Sequence, residues 1–248
     1  MTIQLYRILV ALVLLQPWGA HAFNAARWLQ EFYQNDNLGS FETALEHWKS
    51  RENLEDIDRR QPIVGFLSFV FEKYPETIEI ALKNPDSLSQ AELEAFGNAL
   101  HRANTESAKE ALKTIRQDHL LTQPKPAPLL EIEITQAFEM DLCWGYFYGS
   151  GDVNVVTPIV NVLGYSQFEA ARDAYLDARE KEDDELIQKY REDAFRYAMY
   201  EAARWSLAFN AKRHPKVRDH LEQLAQTSPF ANDLKAILSE LDNVSDAL

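Results

Sequence analysis

Apolar residues recur every three or four positions along most of the chain, and this spacing predicts amphipathic α-helices. The eight glycines are few, and no Asn-Gly or Asp-Gly pair marks a tight hairpin turn. Runs of β-branched residues are also few, which argues against an all-β fold. We therefore predict an all-α fold, an irregular multi-helix array or bundle of helical hairpins around a buried central helix.

Capping residues and prolines place the ends of these helices. Ser89 and Glu92 form a capping box at one helix start, while Pro75 and Pro215 each end a helix. The predicted helices are Ala26–Asn35, a helix capped by Ser40, Arg59–Tyr74, Glu76–Lys83, Ser89–Leu100, Ser107–His119, Ile132–Tyr148, Ser166–Lys181, Glu185–Arg213, Lys216–Gln226 and Pro229–Leu241. Their pairs share no common period, which favours an irregular array over a solenoid.

The stretch 136–164 is apolar on nearly every side, as expected of a helix that other helices surround. Gly145 and Gly149 lie four residues apart on one helical face and would let another helix approach closely. Pro158 leaves two alternatives, a kink in a helix that Asp152 caps or a new helix that Thr157 caps.

The long segment 185–213 is the neighbour that we expect for this central helix. Two rows of its residues have helical spacing and are predicted to face inward. The first row is Ile187, Tyr190, Ala194, Ala198, Ala202, Trp205 and Phe209, and the second is Phe195, Met199 and Ser206.

Residues 141–152 read DLCWGYFYGSGD and contain the pattern D-x-x-W-G-x-F-x-x-x-G-D. This segment resembles uncharacterised exported bacterial helical proteins that carry the same pattern, and QPIVGFL at 61–67 is similar to a second piece of it. The resemblance implies an exported, all-helical domain. It brings no known activity and no site residues.

The first 22 residues are typical of an export signal. Arg7 precedes the apolar run ILVALVLL at 8–15, and Ala20-His21-Ala22 is a small-x-small cleavage site. The run is much shorter than the roughly 20 residues that span a bilayer. We expect cleavage after Ala22 and a periplasmic or secreted single domain at 23–248, with the proline-rich segment 122–128 as the one place where it would divide.

Acidic composition narrows the classes of partner. The formal net charge is −14, so phosphate backbones and anionic lipid surfaces are repelled. We expect no nucleic acid and no membrane as partners after signal cleavage, and another protein or a peptide remains as the partner class. Cys143 is the only cysteine, so no intramolecular disulfide can form.

Asp141 is the residue of the central helix most in need of an explanation, because a buried carboxylate must be paired or hydrogen-bonded. We predict an ion pair with Arg196 or Arg204. The alternative is a general acid or base acting with Asp152 or Glu201, as in a small helical hydrolase or lyase.

Other chemistry has little support in the sequence. The histidines lack metal-ligand spacing, no glycine-rich phosphate loop occurs, and we expect no cofactor and no metal. The aromatic residues Trp144, Tyr146, Tyr148 and Trp205 are the candidates for a ligand groove, although aromatics at helical spacing are usually core. An exported, non-enzymatic binding or protein-interaction module is therefore the function that we favour.

Overall fold

The computed structural model describes residues 23–35, 37–50 and 53–245, and leaves out the side chains of Asp58 and of residues 242–245. The predicted export signal lies outside the described residues. Every regular element in the described part of the chain is a helix, so the all-α prediction is confirmed. None of these helices is both long and apolar enough to cross a membrane.

Twelve α-helices follow one another along the described residues, and short 3-10 turns join several of them. They are α1 (Ala25–Asn35), α2 (Phe41–Ser50), α3 (Ile57–Lys73), α4 (Glu76–Ala81), α5 (Gln90–Ala103), α6 (Glu106–Thr114), α7 (Ala137–Ser150), α8 (Thr157–Asn161), α9 (Glu169–Glu180), α10 (Asp184–Arg213), α11 (Pro215–Thr227) and α12 (Ala231–Ser245). The 3-10 turns are Leu38–Ser40, Pro85–Ser87, Asp118–Thr122, Leu129–Glu131, Val153–Val156 and Val162–Phe168.

The described residues group into two compact units. The N-terminal unit consists of residues 23–132 and 141–155, and the C-terminal unit of residues 133–140 and 156–245. The proline-rich segment 122–128 lies within the N-terminal unit.

The core of the N-terminal unit contains α3 and most of α7. Both helices are buried on several sides, and they cross where Gly65 of α3 meets Gly145 of α7. A Cβ atom on Gly65 would overlap the carbonyl oxygen of Leu142, and one on Gly145 would overlap that of Pro62. The expectation that the glycines of the central stretch admit a close helix is therefore confirmed for Gly145.

Aromatic rings fill the space between α1, α2 and α3. Phe66 is fully buried, and its ring centroid lies 5.0 Å from that of Phe32, 5.4 Å from that of Trp28 and 5.9 Å from that of Trp48. Edge-on contacts of this kind stabilise a core beyond simple area burial. They attach the first two helices of this unit to α3.

In the C-terminal unit, α10 packs against α9, α11 and α12. The hydroxyl of Tyr200 donates a hydrogen bond of 2.8 Å to Asp233, which joins α10 to α12. Thr157 and His220 join α8 to α11, with 3.2 Å between the hydroxyl oxygen and the ring nitrogen Nε2.

The buried face of α10 differs from the predicted one. Its buried residues are Ala194, Tyr197, Met199, Tyr200, Ala203, Ser206, Leu207, Asn210 and Ala211. Of the predicted rows, Ala194, Met199 and Ser206 are buried, whereas the other members, Trp205 and Phe209 among them, are only half-buried. Tyr197 and Tyr200 are the rings that α10 buries, whereas those of Trp205 and Phe209 stack on each other outside the buried set.

Several helix ends also differ from their predicted positions. The central helix begins at Ala137 and not at Ile132, because the Glu139 carboxylate accepts the backbone N–H groups of Thr135 and Gln136 at 2.7 and 2.8 Å and caps the helix start. The helix predicted to reach His119 ends at Thr114, where the chain turns.

The predicted caps at Ser89, Ser40 and Thr157 have different outcomes. Ser89 and Glu92 form the predicted capping box, with both hydrogen bonds present. Ser40 instead ends a 3-10 turn before α2. At Pro158, a new helix begins at Thr157 and places the proline within its first turn, although Thr157 is the first helical residue and not the cap.

Candidate functional site

The aromatic candidates of the central helix are largely inside the N-terminal unit. Trp144 and Tyr148 are each 2% exposed, and their rings stack with centroids 6.4 Å apart. Tyr146 is half-buried, and its ring lies edge-on to that of Phe69 at 5.6 Å. Burial raises the pKa of Tyr146, with a further contribution from the Glu72 carboxylate, so its hydroxyl stays protonated at neutral pH.

Trp205, in the C-terminal unit, is the predicted aromatic candidate that lines a surface groove. Its ring is half-buried and stacks on that of Phe209, with the centroids 5.0 Å apart and the planes 24° apart. Both residues lie on α10, one helical turn apart. Both side chains line the groove.

Two helices line this groove, which has a volume of about 520 Å³. Its lining residues are Trp205, Ala208, Phe209, Lys212 and Arg213 from α10 and Leu241 from α12. We call this set the Trp205 groove. It combines apolar walls with a basic end.

The basic end is built by the last turn of α10. The guanidinium carbon of Arg213 lies 3.4 Å from the Phe209 ring centroid, and the same group donates a hydrogen bond of 3.2 Å to the Phe209 carbonyl oxygen. A cation near a helix C-terminus is favoured by the helix dipole, and a cation over a ring by its quadrupole. Lys212 beside it forms no ion pair with any residue that the structure describes.

Sequence reasoning named Trp205 but missed the other walls of this groove. The spacing of Trp205, Phe209 and Arg213, four residues each, is a readable signal for stacked side chains on one helical face. Leu241 could not be placed without knowing how α12 packs.

The three candidate carboxylates have different surroundings. Asp141 and Asp152 belong to the N-terminal unit, whereas Glu201 belongs to the C-terminal one. Asp152 accepts hydrogen bonds from the backbone and side-chain nitrogens of Asn154 at 2.9 and 2.8 Å. Glu201 is half exposed and lies 3.8 Å from Arg172. Asp152 therefore stabilises a turn, and Glu201 takes part in a surface ion pair.

The arginines proposed as partners of Asp141 have carboxylates within their own unit. Arg196 pairs with Glu192 at 2.6 Å and with Asp193 at 3.2 Å. Arg204 pairs with Glu240 at 2.7 Å. Asp141 itself is half-buried, and its ion pair with either arginine stays a prediction.

Metal binding and thiol chemistry are the remaining candidate chemistries. Among the described residues, no group of three or more His, Cys, Asp or Glu side chains is arranged to hold a metal ion. Cys143 is fully buried in α7. A thiol that reagents in solvent cannot reach reacts slowly.

Comparisons of the chain with protein-family models, with curated proteins and with solved structures find no match.

Proposed function

We propose that this protein is an exported, non-enzymatic binding module, and that its Trp205 groove holds an acidic segment of a partner protein that carries an apolar side chain. One observation carries the proposal. The stacked rings of Trp205 and Phe209 remain partly exposed in a groove that ends at Lys212 and Arg213.

The apolar part of the groove suits a side chain of the partner. Tryptophan and arginine are enriched among the residues that dominate binding energy at protein interfaces. Arg213 holds the Phe209 ring from one side, so little side-chain entropy remains to be lost when a partner binds. A leucine or phenylalanine of the partner would be buried against Trp205, Phe209 and Leu241.

Charge supports an acidic partner segment. The chain carries a net charge of −14, so most of its surface repels an acidic peptide. Lys212 and Arg213 give the groove the opposite sign, and Lys212 has no carboxylate partner among the described residues. Electrostatic complementarity of this kind increases association rates and specificity.

The contacts of the candidate carboxylates favour binding over the hydrolase or lyase alternative. A general acid or base needs a carboxylate that faces a reacting group. Asp152 already accepts two hydrogen bonds in its turn, and Glu201 lies beside Arg172 on the surface.

A fluorescence anisotropy titration tests the proposal. The probe is a labelled peptide of aspartates that contains one leucine and one phenylalanine, and a second peptide has lysines in place of the aspartates. We expect saturable binding of the acidic peptide alone, and we expect Trp205→Ala to weaken it about tenfold or more.

Tyr190→Ala is the matched control. Tyr190 is also a half-buried ring on α10, with the Lys189 ammonium 4.9 Å from its centroid, and it lies outside the groove. This variant should bind like the parent protein. Equal losses in the two variants, or equal binding of both peptides, would contradict the proposal, as would a concentration-dependent dimer that occupies the same groove.

A further inference from the structure

A second cavity lies in the N-terminal unit, between the end of α5, the helix α6 and the segment that follows it. Its volume is about 260 Å³, slightly below the roughly 300–1,000 Å³ of typical small-molecule pockets. Its lining includes His101, Asn104, Leu112, Leu120 and Lys125, together with four charged residues of α6. We call it the His101 cavity.

Three polar groups on its wall have no hydrogen-bond or ion-pair partner among the described residues. The imidazole of His101 is only 9% exposed, and neither it nor the carboxamide of Asn104 forms a hydrogen bond with a described residue. Lys125 likewise forms no ion pair with the described part of the chain. The ring nitrogens of His101 are not among the sealed, unpaired polar atoms of the described residues, so they reach solvent and are accessible to a ligand in the cavity.

Asn104 is held at the cavity by its backbone. It ends α5 in the left-handed conformation, with φ at 52°, and its N–H group donates to the Leu100 carbonyl oxygen at 3.0 Å. Asparagine tolerates this conformation better than most residues. Its side chain is therefore presented from a fixed position.

The remaining charges largely cancel. Glu106 pairs with Lys109 at 2.6 Å, and Glu110 pairs with Lys113 at 2.7 Å. Lys125 is then the uncompensated charge of the cavity wall, which makes the wall net positive. The leucines supply the apolar part of the wall.

We propose that the His101 cavity binds a small organic carboxylate with an apolar body. The Lys125 ammonium pairs with the carboxylate, the Asn104 amide and the His101 ring N–H donate hydrogen bonds to it, and the apolar body lies on Leu112 and Leu120. Ammonium and amide donors are the groups that carboxylates require.

The protonation state of His101 agrees with this arrangement. Burial lowers the pKa of the imidazole, and the neighbouring Arg102 charge lowers it further. His101 is therefore neutral at pH 7 and retains one N–H donor. This proposal does not depend on the Trp205 groove, because the two sites lie in different units.

Isothermal titration calorimetry with benzoate, benzyl alcohol and benzylamine tests the inference. The three compounds share a ring and differ in charge. We expect saturable binding of benzoate, about tenfold tighter than that of either other compound. No saturable heat with benzoate, or equally tight binding of benzylamine, would overturn the proposal.

Two variants are designed to leave the fold intact. Lys125→Ala changes an exposed side chain, and Asn104→Gly removes the carboxamide while glycine keeps the left-handed backbone at no steric cost. Each should weaken benzoate binding about fivefold or more, because each removes one charged or charge-assisted contact. Lys235→Ala, an exposed lysine of α12 outside the cavity, should leave it unchanged. Unchanged affinity in Lys125→Ala, or an equal loss in Lys235→Ala, would reject the site.

Discussion

Gly65 and Gly145 lie at the same helix crossing, and a Cβ atom on either would overlap the backbone of the other helix. Besides the two overlapped carbonyl oxygens, a Cβ on Gly65 would lie 2.9 Å from the Tyr146 nitrogen, and one on Gly145 would lie 2.6 Å from the Pro62 carbonyl carbon. Backbone atoms cannot turn away as side chains can. The two pieces of the sequence pattern, QPIVGFL and DLCWGYFYGSGD, therefore meet through their glycines.

Gly145→Ala should destabilise the protein. Alanine in a helix interior gains about 1 kcal/mol over glycine, but overpacking a core typically costs about 1–3 kcal/mol and sometimes more. Because the added methyl group would displace backbone, we expect a net loss of about 2 kcal/mol in the free energy of unfolding. Urea denaturation measures it.

Gly97→Ala is the matched control within helix α5. A Cβ there would meet only side-chain atoms, the nearest being Leu120 Cδ1 at 3.2 Å. Side chains can move, so this change should cost little. If Gly145→Ala proved as stable as Gly97→Ala, the close crossing of α3 and α7 would be refuted.

Ser89→Ala should remove the capping box of α5. The Ser89 hydroxyl accepts the Glu92 N–H at 3.2 Å, and the Glu92 carboxylate accepts the Ser89 N–H at 2.7 Å. Loss of such a cap costs about 1 kcal/mol. Ser40→Ala is the control, because Ser40 only ends a 3-10 turn. The melting temperature should fall for Ser89→Ala and stay unchanged for Ser40→Ala.

The fold class followed from the sequence because helical periodicity and caps are local signals. The capping box at Ser89 and the end of α10 at Arg213 were both placed correctly. The start of the central helix was misplaced because Gln136, and not a serine or threonine, precedes the helix, so Glu139 at its third position supplies only one half of a capping box.

The candidate site was less accessible to sequence reasoning. α10 carries more than one apolar stripe, so spacing alone could not decide which one is buried. Trp205 was named both as an inward-facing residue and as a ligand candidate, and it is half-buried at the groove while the nearby Ala203 and Ser206 are buried. The contribution of Leu241 depends on tertiary packing, and no local pattern encodes it.

His101 should make stability depend on pH. Burial lowers the imidazole pKa in the folded protein, whereas the unfolded chain has the ordinary value of about 6.5. As the pH falls through that value toward the lower folded one, the unfolded chain binds the proton first, so the free energy of unfolding decreases.

Urea denaturation from about pH 8 to about pH 5 measures this dependence. The parent protein should lose more stability than His101→Gln over that range. His119→Gln, which changes an exposed histidine, should follow the parent curve. A parent curve parallel to that of His101→Gln would contradict the burial of a neutral imidazole.

The hydroxyl of Tyr200 should ionise at a higher pH than an ordinary tyrosine. Burial and the hydrogen bond to Asp233 raise its pKa to about 12, from an ordinary value near 10. Its raised pKa contributes stability that is fully present below about pH 10 and is lost as the pH rises through about 12. Ultraviolet titration of Tyr200→Phe should lack one tyrosine that ionises near pH 12 in the parent protein. The substitution should also cost about 1–2 kcal/mol at neutral pH, because a hydrogen bond to a carboxylate is removed. An unchanged titration curve in the variant would count against this contact.

Fluorine NMR of protein labelled with 5-fluorotryptophan tests the proposed binding groove most directly. Trp205→Phe identifies the Trp205 resonance, and the buried Trp144 provides an internal reference, being 2% exposed. On addition of the acidic peptide, we predict a saturable shift of the Trp205 resonance with the affinity found by anisotropy, while the Trp144 resonance stays in place. Saturable peptide binding with an unmoved Trp205 resonance would contradict the account.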